Sequence, residues 1–128
     1  MKFNVDKQEN VIVYEILEDK LTSANAPILK SELVLANTEG YNNIIIDLNN
    51  VRFVDSSGLS AILVGNRLCN EVDGIFALSG LNDTIKNLIK ISQLDDILNI
   101  FSTKSDAIEA IQEAESSEEE LKEEDSED

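Results

Sequence analysis

The chain has 128 residues, a length typical of one domain, and 42% of them are hydrophobic, enough for an ordinary core. Its 10 basic and 26 acidic residues leave a net charge of −16, which disfavours nucleic acid and anionic membrane as partners and favours a protein with a basic face. A single cysteine excludes an internal disulfide, and no apolar run suits a signal peptide or a membrane span, so we expect a soluble, cytoplasmic protein.

In chain order, strand-like and helix-like patterns alternate. Apolar runs rich in β-branched residues predict strands over residues 11–18, 43–49, 74–80 and 96–101, with an edge strand near residues 2–5. Helical spacing of apolar residues predicts four helices between and after the four main runs, the first opening at Pro27. Their apolar stripes are Leu29, Leu33 and Ala36; Leu59, Ile62, Leu63, Cys69 and Val72; Leu81, Ile85, Leu88 and Ile89; and Ile108 and Ile111. This order predicts a single α/β domain with a mixed, largely parallel β-sheet and four or so helices.

The acidic C-terminal segment differs from the rest of the chain. Residues 113–128 carry a net charge of −9, which leaves −7 on residues 1–112, and their only large apolar residue is Leu121. Such a segment cannot bury enough apolar surface to offset the entropy lost on ordering. We therefore predict a folded domain over 1–112 and a disordered acidic tail over 113–128, which serves solubility or, alternatively, docks onto a partner.

Several kinds of catalytic site are excluded by composition. The chain has no histidine, which rules out a Ser-His-Asp triad, and one cysteine does not make a zinc site. No glycine-rich phosphate loop follows a strand, and no G-x-S-x-G motif is present. Asp47 and Asp55 could hold magnesium but are more typical of loop and cap residues. We expect a protein that is not an enzyme, with no catalytic residue, metal, cofactor or small-molecule substrate.

The stretch "VRFVDSSGLSAILVGNRL" (residues 51–68) places two serines immediately before the second predicted helix. A serine at a helix N-cap stabilises the helix by about 1 kcal/mol, which is the simplest interpretation. The free N–H groups of a helix start also favour an anion, so a phosphate on Ser56 would leave the helix intact. That phosphate would add a charge of about −1.5 to −2 at pH 7. Gly58 would leave space for another protein to approach.

A family resemblance favours the phosphate. "DLNNVRFVDSSGLSAILVGNRL" resembles the signature of the STAS domain family, the fold of bacterial anti-sigma factor antagonists, and the likeness runs from about Phe3 to Ile111. It includes "LEDKLTSANAP" (residues 17–27) and residues 83–111. The resemblance implies phosphorylation of the serine after the Asp, here Ser56, by an anti-sigma factor that is an ATP-using serine kinase. It also implies release of that partner on phosphorylation and restoration of binding by a serine phosphatase.

The resemblance also implies a partner-binding surface, with one departure from the family pattern. Where family members usually have Gly-x-Leu-Asp, this chain has Asp19-Lys20-Leu21-Thr22. The uncharged Thr22 therefore replaces an aspartate that lies on the binding surface in the family. Thr22 can still cap the first helix. The expected surface residues are Asp55, Ser56, Ser57, Gly58 and Leu59, with Thr22 and Ser23 opposite them.

Three functions follow from these observations. The first is an anti-sigma factor antagonist, a binding module switched by phosphorylation. The second is a STAS subunit of a transport or sensory scaffold complex that does not switch, which the altered Asp19–Thr22 turn favours mildly. The third, an enzyme with a serine nucleophile, is disfavoured by the absence of histidine.

Overall fold

The computed structural model describes the backbone of residues 1–126 and the side chains of residues 1–117. Strands and helices alternate along the chain, as the sequence pattern predicts. The strands are β1 (Phe3–Gln8), β2 (Val11–Ile16), β3 (Lys20–Leu21), β4 (Asn43–Asp47), β5 (Phe53–Val54), β6 (Phe76–Ser79) and β7 (Asn99–Phe101). The helices are α1 (Ala26–Thr38), α2 (Ser56–Glu71), α3 (Asp83–Ile91) and α4 (Lys104–Ser126).

The main sheet has five strands in the order β1-β2-β4-β6-β7. The β1–β2 pair is antiparallel and the other three pairs are parallel, which confirms the mixed, largely parallel sheet. Every residue of β4 is buried, as expected for a parallel strand covered on both faces. The edge strand β1 is mostly exposed, in keeping with its place at the end of the sheet.

Helices cover both faces of this sheet. Alternate residues of β4 point to opposite sides: Ile44 and Ile46 join the larger core, and Ile45 joins the smaller one. The larger core contains the buried residues of α1, α2 and α3, and the smaller one contains Ala107 and Ile111 of α4. The first turns of α1 and α2 therefore lie on the same side of the sheet.

Helix α4 runs past residue 113, where the sequence pattern places the end of the folded domain. Ile111 is the last buried apolar residue among the described side chains, so apolar burial ends near the expected position. One polar contact continues further, because Asn43 Nδ2 donates to Glu115 Oε1. The backbone is helical as far as Ser126, and residues 127 and 128 of the predicted tail lie outside the described residues. The domain boundary and the disorder of the tail stay predictions.

The described helices also bear on membrane association. Within the part of the chain that the structure describes, no helix is both long enough and apolar enough to cross a membrane.

Candidate functional site

A short second sheet positions the segment before α2. Strands β3 and β5 pair in parallel, with Leu21 opposite Val54. The backbone N–H of Asp55 donates to Leu21 O (3.1 Å), and the N–H of Arg52 donates to Asp19 O (2.7 Å). These bonds hold the turn that follows β2 against the start of α2. The structure thus brings together two of the predicted sites, Thr22 and Ser23 on one side and the Asp55–Ser57 segment on the other.

Asp55 is the N-cap residue of α2. Its Oδ1 accepts a hydrogen bond from Gly58 N (2.9 Å), and its Oδ2 accepts from Ser23 N (3.3 Å). One carboxylate therefore caps the helix and ties the two parts of the site together. The expectation that a serine caps α2 is wrong, because Ser56 and Ser57 are the first two residues of the helix itself. Asp and Ser are about equally good caps, and here the earlier residue takes the position.

Ser56 is exposed and Ser57 is half-buried. Among the described residues, no acceptor is found for the backbone N–H of either serine or for the hydroxyl of Ser56. Two unpaired N–H groups at a helix start, together with the helix dipole, make a favourable place for negative charge. The exposed side chain of Ser56 therefore lies at a helix start whose N–H groups and dipole favour negative charge.

Gly58 has a packing role. A Cβ atom added there would lie 2.3 Å from Leu21 O and 2.9 Å from Val54 Cγ1. Glycine thus allows α2 to approach the backbone of β3, and the space beside it is filled by the chain's own atoms. This corrects the expectation that Gly58 leaves space for a partner. Leu59 is half-buried and packs against the larger core, so only part of its side chain is available at the surface.

Thr22 stabilises the turn before α1. Its N–H donates to Asn25 Oδ1 (2.8 Å), and its Oγ1 accepts from Ala24 N (3.3 Å). Asn25, not Thr22, is the N-cap residue of α1, so the expected capping role of Thr22 is wrong. The side chain of Thr22 is half-buried and that of Ser23 is exposed. The participation of both residues in partner binding stays a prediction.

A cleft of about 250 Å³ separates the first turns of α1 and α2. Its lining combines hydroxyl groups, small apolar side chains and one cation: Ser23, Ala26, Pro27, Lys30, Ser56, Ser57 and Ser60. Sequence reasoning missed Lys30 because it lies on a different helix from the serines and belongs to no recognisable motif. Only the packing of α1 against α2 brings it to the site.

The remaining candidate groups have protein partners or are buried. Asp47, considered above as a magnesium ligand, accepts a hydrogen bond from Ser79 Oγ (2.8 Å) and is buried. No cluster of three or more potential metal ligands is found among the described residues. Cys69 is buried, and this burial raises the pKa of its thiol to about 12, which makes it a poor nucleophile near neutral pH.

Comparison with known proteins agrees with the fold. The model of the STAS domain family matches residues 2–107, and the chain belongs to this family. The match extends over most of the chain and includes every residue that forms the cleft.

Two relatives show how far the sequence similarity reaches. A Thermotoga neapolitana protein provisionally named an anti-sigma factor antagonist is 35% identical over 74 residues, 58% of this chain and 66% of its own length. The match thus spans just under two thirds of that relative. The anti-sigma-B factor antagonist of Staphylococcus aureus is 26% identical over 101 residues, which cover 78% of this chain and 94% of the relative.

Solved structures show the same architecture. A Thermotoga maritima protein, provisionally described as an anti-sigma factor antagonist, superposes with a TM-score of 0.78 at 27% identity and covers 86% of this chain and 94% of its own. The phosphorylated form of the Bacillus cell fate determinant SpoIIAA superposes with a TM-score of 0.69 at 20% identity, covering 86% and 99%. The second likeness concerns the fold alone.

Proposed function

We propose that this protein is an anti-sigma factor antagonist that binds its partner through the surface around Ser56 and releases it when Ser56 is phosphorylated. The observation that carries the proposal is the exposed Ser56 hydroxyl at the first position of α2, with unpaired backbone N–H groups beside it. The names of the relatives support the antagonist class.

The site can accept a phosphate without loss of structure. Transfer of the γ-phosphoryl group of ATP to Ser56 Oγ, with loss of the hydroxyl proton, adds a charge of about −1.5 to −2 at neutral pH. The helix dipole and the free N–H groups stabilise that charge. Asp55 keeps its own hydrogen bonds to Gly58 and Ser23, so the cap does not depend on an unmodified serine.

The same charge opposes a protein interface. A partner that covers the start of α2 removes water from Ser56, and a neutral hydroxyl tolerates this far better than a dianion does. Groups of the protein itself do not fully neutralise a dianion, so unless the partner supplies further cations, uncompensated negative charge is buried and the complex dissociates. Phosphorylation therefore changes affinity through desolvation, with no rearrangement of the fold.

The proposal includes the identity of the partners by class. The anti-sigma factor is an ATP-using serine kinase, a serine phosphatase reverses the reaction, and all three proteins act in the cytoplasm. The binding surface comprises Ser56, Ser57 and the exposed part of Leu59, with Thr22 and Ser23 opposite. Asp55 and Gly58 position this surface, the first through its two N–H contacts and the second through close packing on Leu21.

Substitution of Ser56 tests the switch. Ser56→Ala is expected to bind the anti-sigma factor whether or not ATP is present, and Ser56→Asp to bind at least about tenfold more weakly, a loss of about 1.4 kcal/mol. Ser60→Ala, which alters another hydroxyl of the same cleft, is the matched control and should behave as wild type. Mass spectrometry of protein purified from its own cells should find one phosphate on the peptide that contains Ser56. Equal binding by the Ala and Asp variants contradicts the switch.

The alternative is a STAS subunit that does not switch. The turn from Asp19 to Thr22 favours it mildly, because Thr22 stands where the family pattern has an aspartate. Affinity purification that retrieves transporter or scaffold proteins, with Ser56 unmodified under all conditions, would replace the first proposal with this one.

A further inference from the structure

We propose that Lys30 binds the phosphate of phosphorylated Ser56, so that the modification links α1 to α2. This inference rests on the proposed function, since it concerns the modified form of the same site. In the phosphorylated form, α1 thus contributes a cation that contacts the phosphate on α2.

The geometry of the cleft brings the two groups within reach of each other. Lys30 and Ser56 line the same cleft of about 250 Å³, on opposite helices. Both helices begin at this cleft, because Pro27 in the first turn of α1 and Ser57 in the first turn of α2 also line it. Side chains in a helix lean toward its N-terminus, so the long side chain of Lys30, in the second turn, leans toward the first turn of α1, which lines the cleft with Ser56.

Lys30 is available for such a contact. The ion pairs found among the described side chains engage other cations: Lys7, Arg52, Arg67 and Lys104. Lys30 has no carboxylate partner within the described residues and is half-buried. The chain has a net charge of −16, and Lys30 supplies local positive potential to the cleft that Ser56 lines.

The other charged groups around the site are engaged or point elsewhere. Both oxygens of Asp55 accept backbone hydrogen bonds, and Asp19 Oδ1 pairs with Arg52 Nε at 3.5 Å in solvent. Lys20 is exposed on β3 and does not line the cleft. Among the described residues, Lys30 is thus the one cation that lines the cleft beside Ser56, where the free N–H groups of α2 also favour a phosphate and Asp55 is the opposing charge.

Titration of the phosphate itself tests the contact. Phosphoserine is placed at position 56 of the full chain by genetic-code expansion, and its second ionisation is followed by ³¹P NMR. A cation at about 5 Å lowers this pKa by about half a unit even in a water-like dielectric. We expect the midpoint to rise by about that amount in Lys30→Met and to stay at the wild-type value in Lys30→Arg. Lys86→Met, on α3 and outside the cleft, is the matched control.

A second measurement follows from the link between the helices. Phosphorylation should raise the melting temperature of wild-type protein more than that of Lys30→Met, while the two unmodified proteins melt alike. Equal phosphate midpoints in wild type and Lys30→Met overturn the inference. Neither measurement uses a kinase or a partner, so this result would leave the switch standing. Failure of Ser56→Asp to weaken partner binding would instead remove the proposed function and leave the Lys30 contact intact.

Discussion

Replacement of Asp55 by alanine should destabilise the protein more than any other single change at the surface of the site. The carboxylate accepts one hydrogen bond from Gly58 N (2.9 Å) and one from Ser23 N (3.3 Å), and alanine removes both. Asp55→Asn is the matched variant, because its single carbonyl oxygen can serve one of these N–H groups but not both.

The magnitude follows from the two contacts. Loss of an N-cap residue costs about 1 kcal/mol, and loss of the longer bond to Ser23 adds up to about 1 kcal/mol. We expect Asp55→Ala to lower the free energy of unfolding by about 2 kcal/mol and Asp55→Asn by about 1 kcal/mol. With an unfolding entropy of about 2 cal/mol/K per residue, the alanine variant should melt about 8 °C lower than wild type.

Urea denaturation and amide hydrogen exchange measure this directly. The amides of Ser23 and Gly58 should both exchange faster in Asp55→Ala, whereas one of them stays protected in Asp55→Asn. Ser56→Ala, which alters an exposed neighbour, should change stability by less than about 0.5 kcal/mol. If Asp55→Ala proves no more costly than Ser56→Ala, the carboxylate does not tie the site together and the reasoning fails.

Three further predictions concern packing and ionisation. Gly58→Ala should lower stability by about 1 kcal/mol or more despite the better helix propensity of alanine, because its Cβ would lie 2.3 Å from Leu21 O; wild-type stability in urea would contradict this. Burial raises the pKa of Cys69 to about 12, so a thiol reagent at pH 8 should label it only after unfolding, and fast labelling of native protein would disprove its burial. The hydrogen bond from Lys104 lowers the pKa of Glu15 in the folded state. At a pH above its ordinary pKa, Glu15 therefore stabilises the folded state, and this stabilisation is lost as the pH falls through the pKa of the folded state. Lys104→Met should raise the Glu15 pKa measured by NMR.

The main elements were predictable because their patterns are long. Three consecutive residues of β4, Ile44, Ile45 and Ile46, place apolar side chains on both faces of the strand, and this is typical of a buried parallel strand. Strands β3 and β5 were not predicted, since two residues have no measurable period and their pairing depends on backbone hydrogen bonds between distant segments. These two short strands nevertheless decide where the site forms.

Details of the site were less predictable than its location. In "DSSG", Asp55 and the serines have similar preferences for the cap position, so the sequence alone does not decide which residue takes it. The role of Gly58 depends on the carbonyl of Leu21, and that of Lys30 on the packing of α1 against α2. Contacts of this kind join separate segments and leave no local signature.

The pairing of β3 with β5, together with the hydrogen bond from Ser23 N to Asp55, joins the two halves of the candidate binding surface. Main-chain hydrogen bonds between β3 and β5 hold the two halves of the surface together. In the proposed switch, a phosphate on Ser56 therefore changes the charge of this surface and not its shape, and a partner distinguishes the two forms by their electrostatic potential.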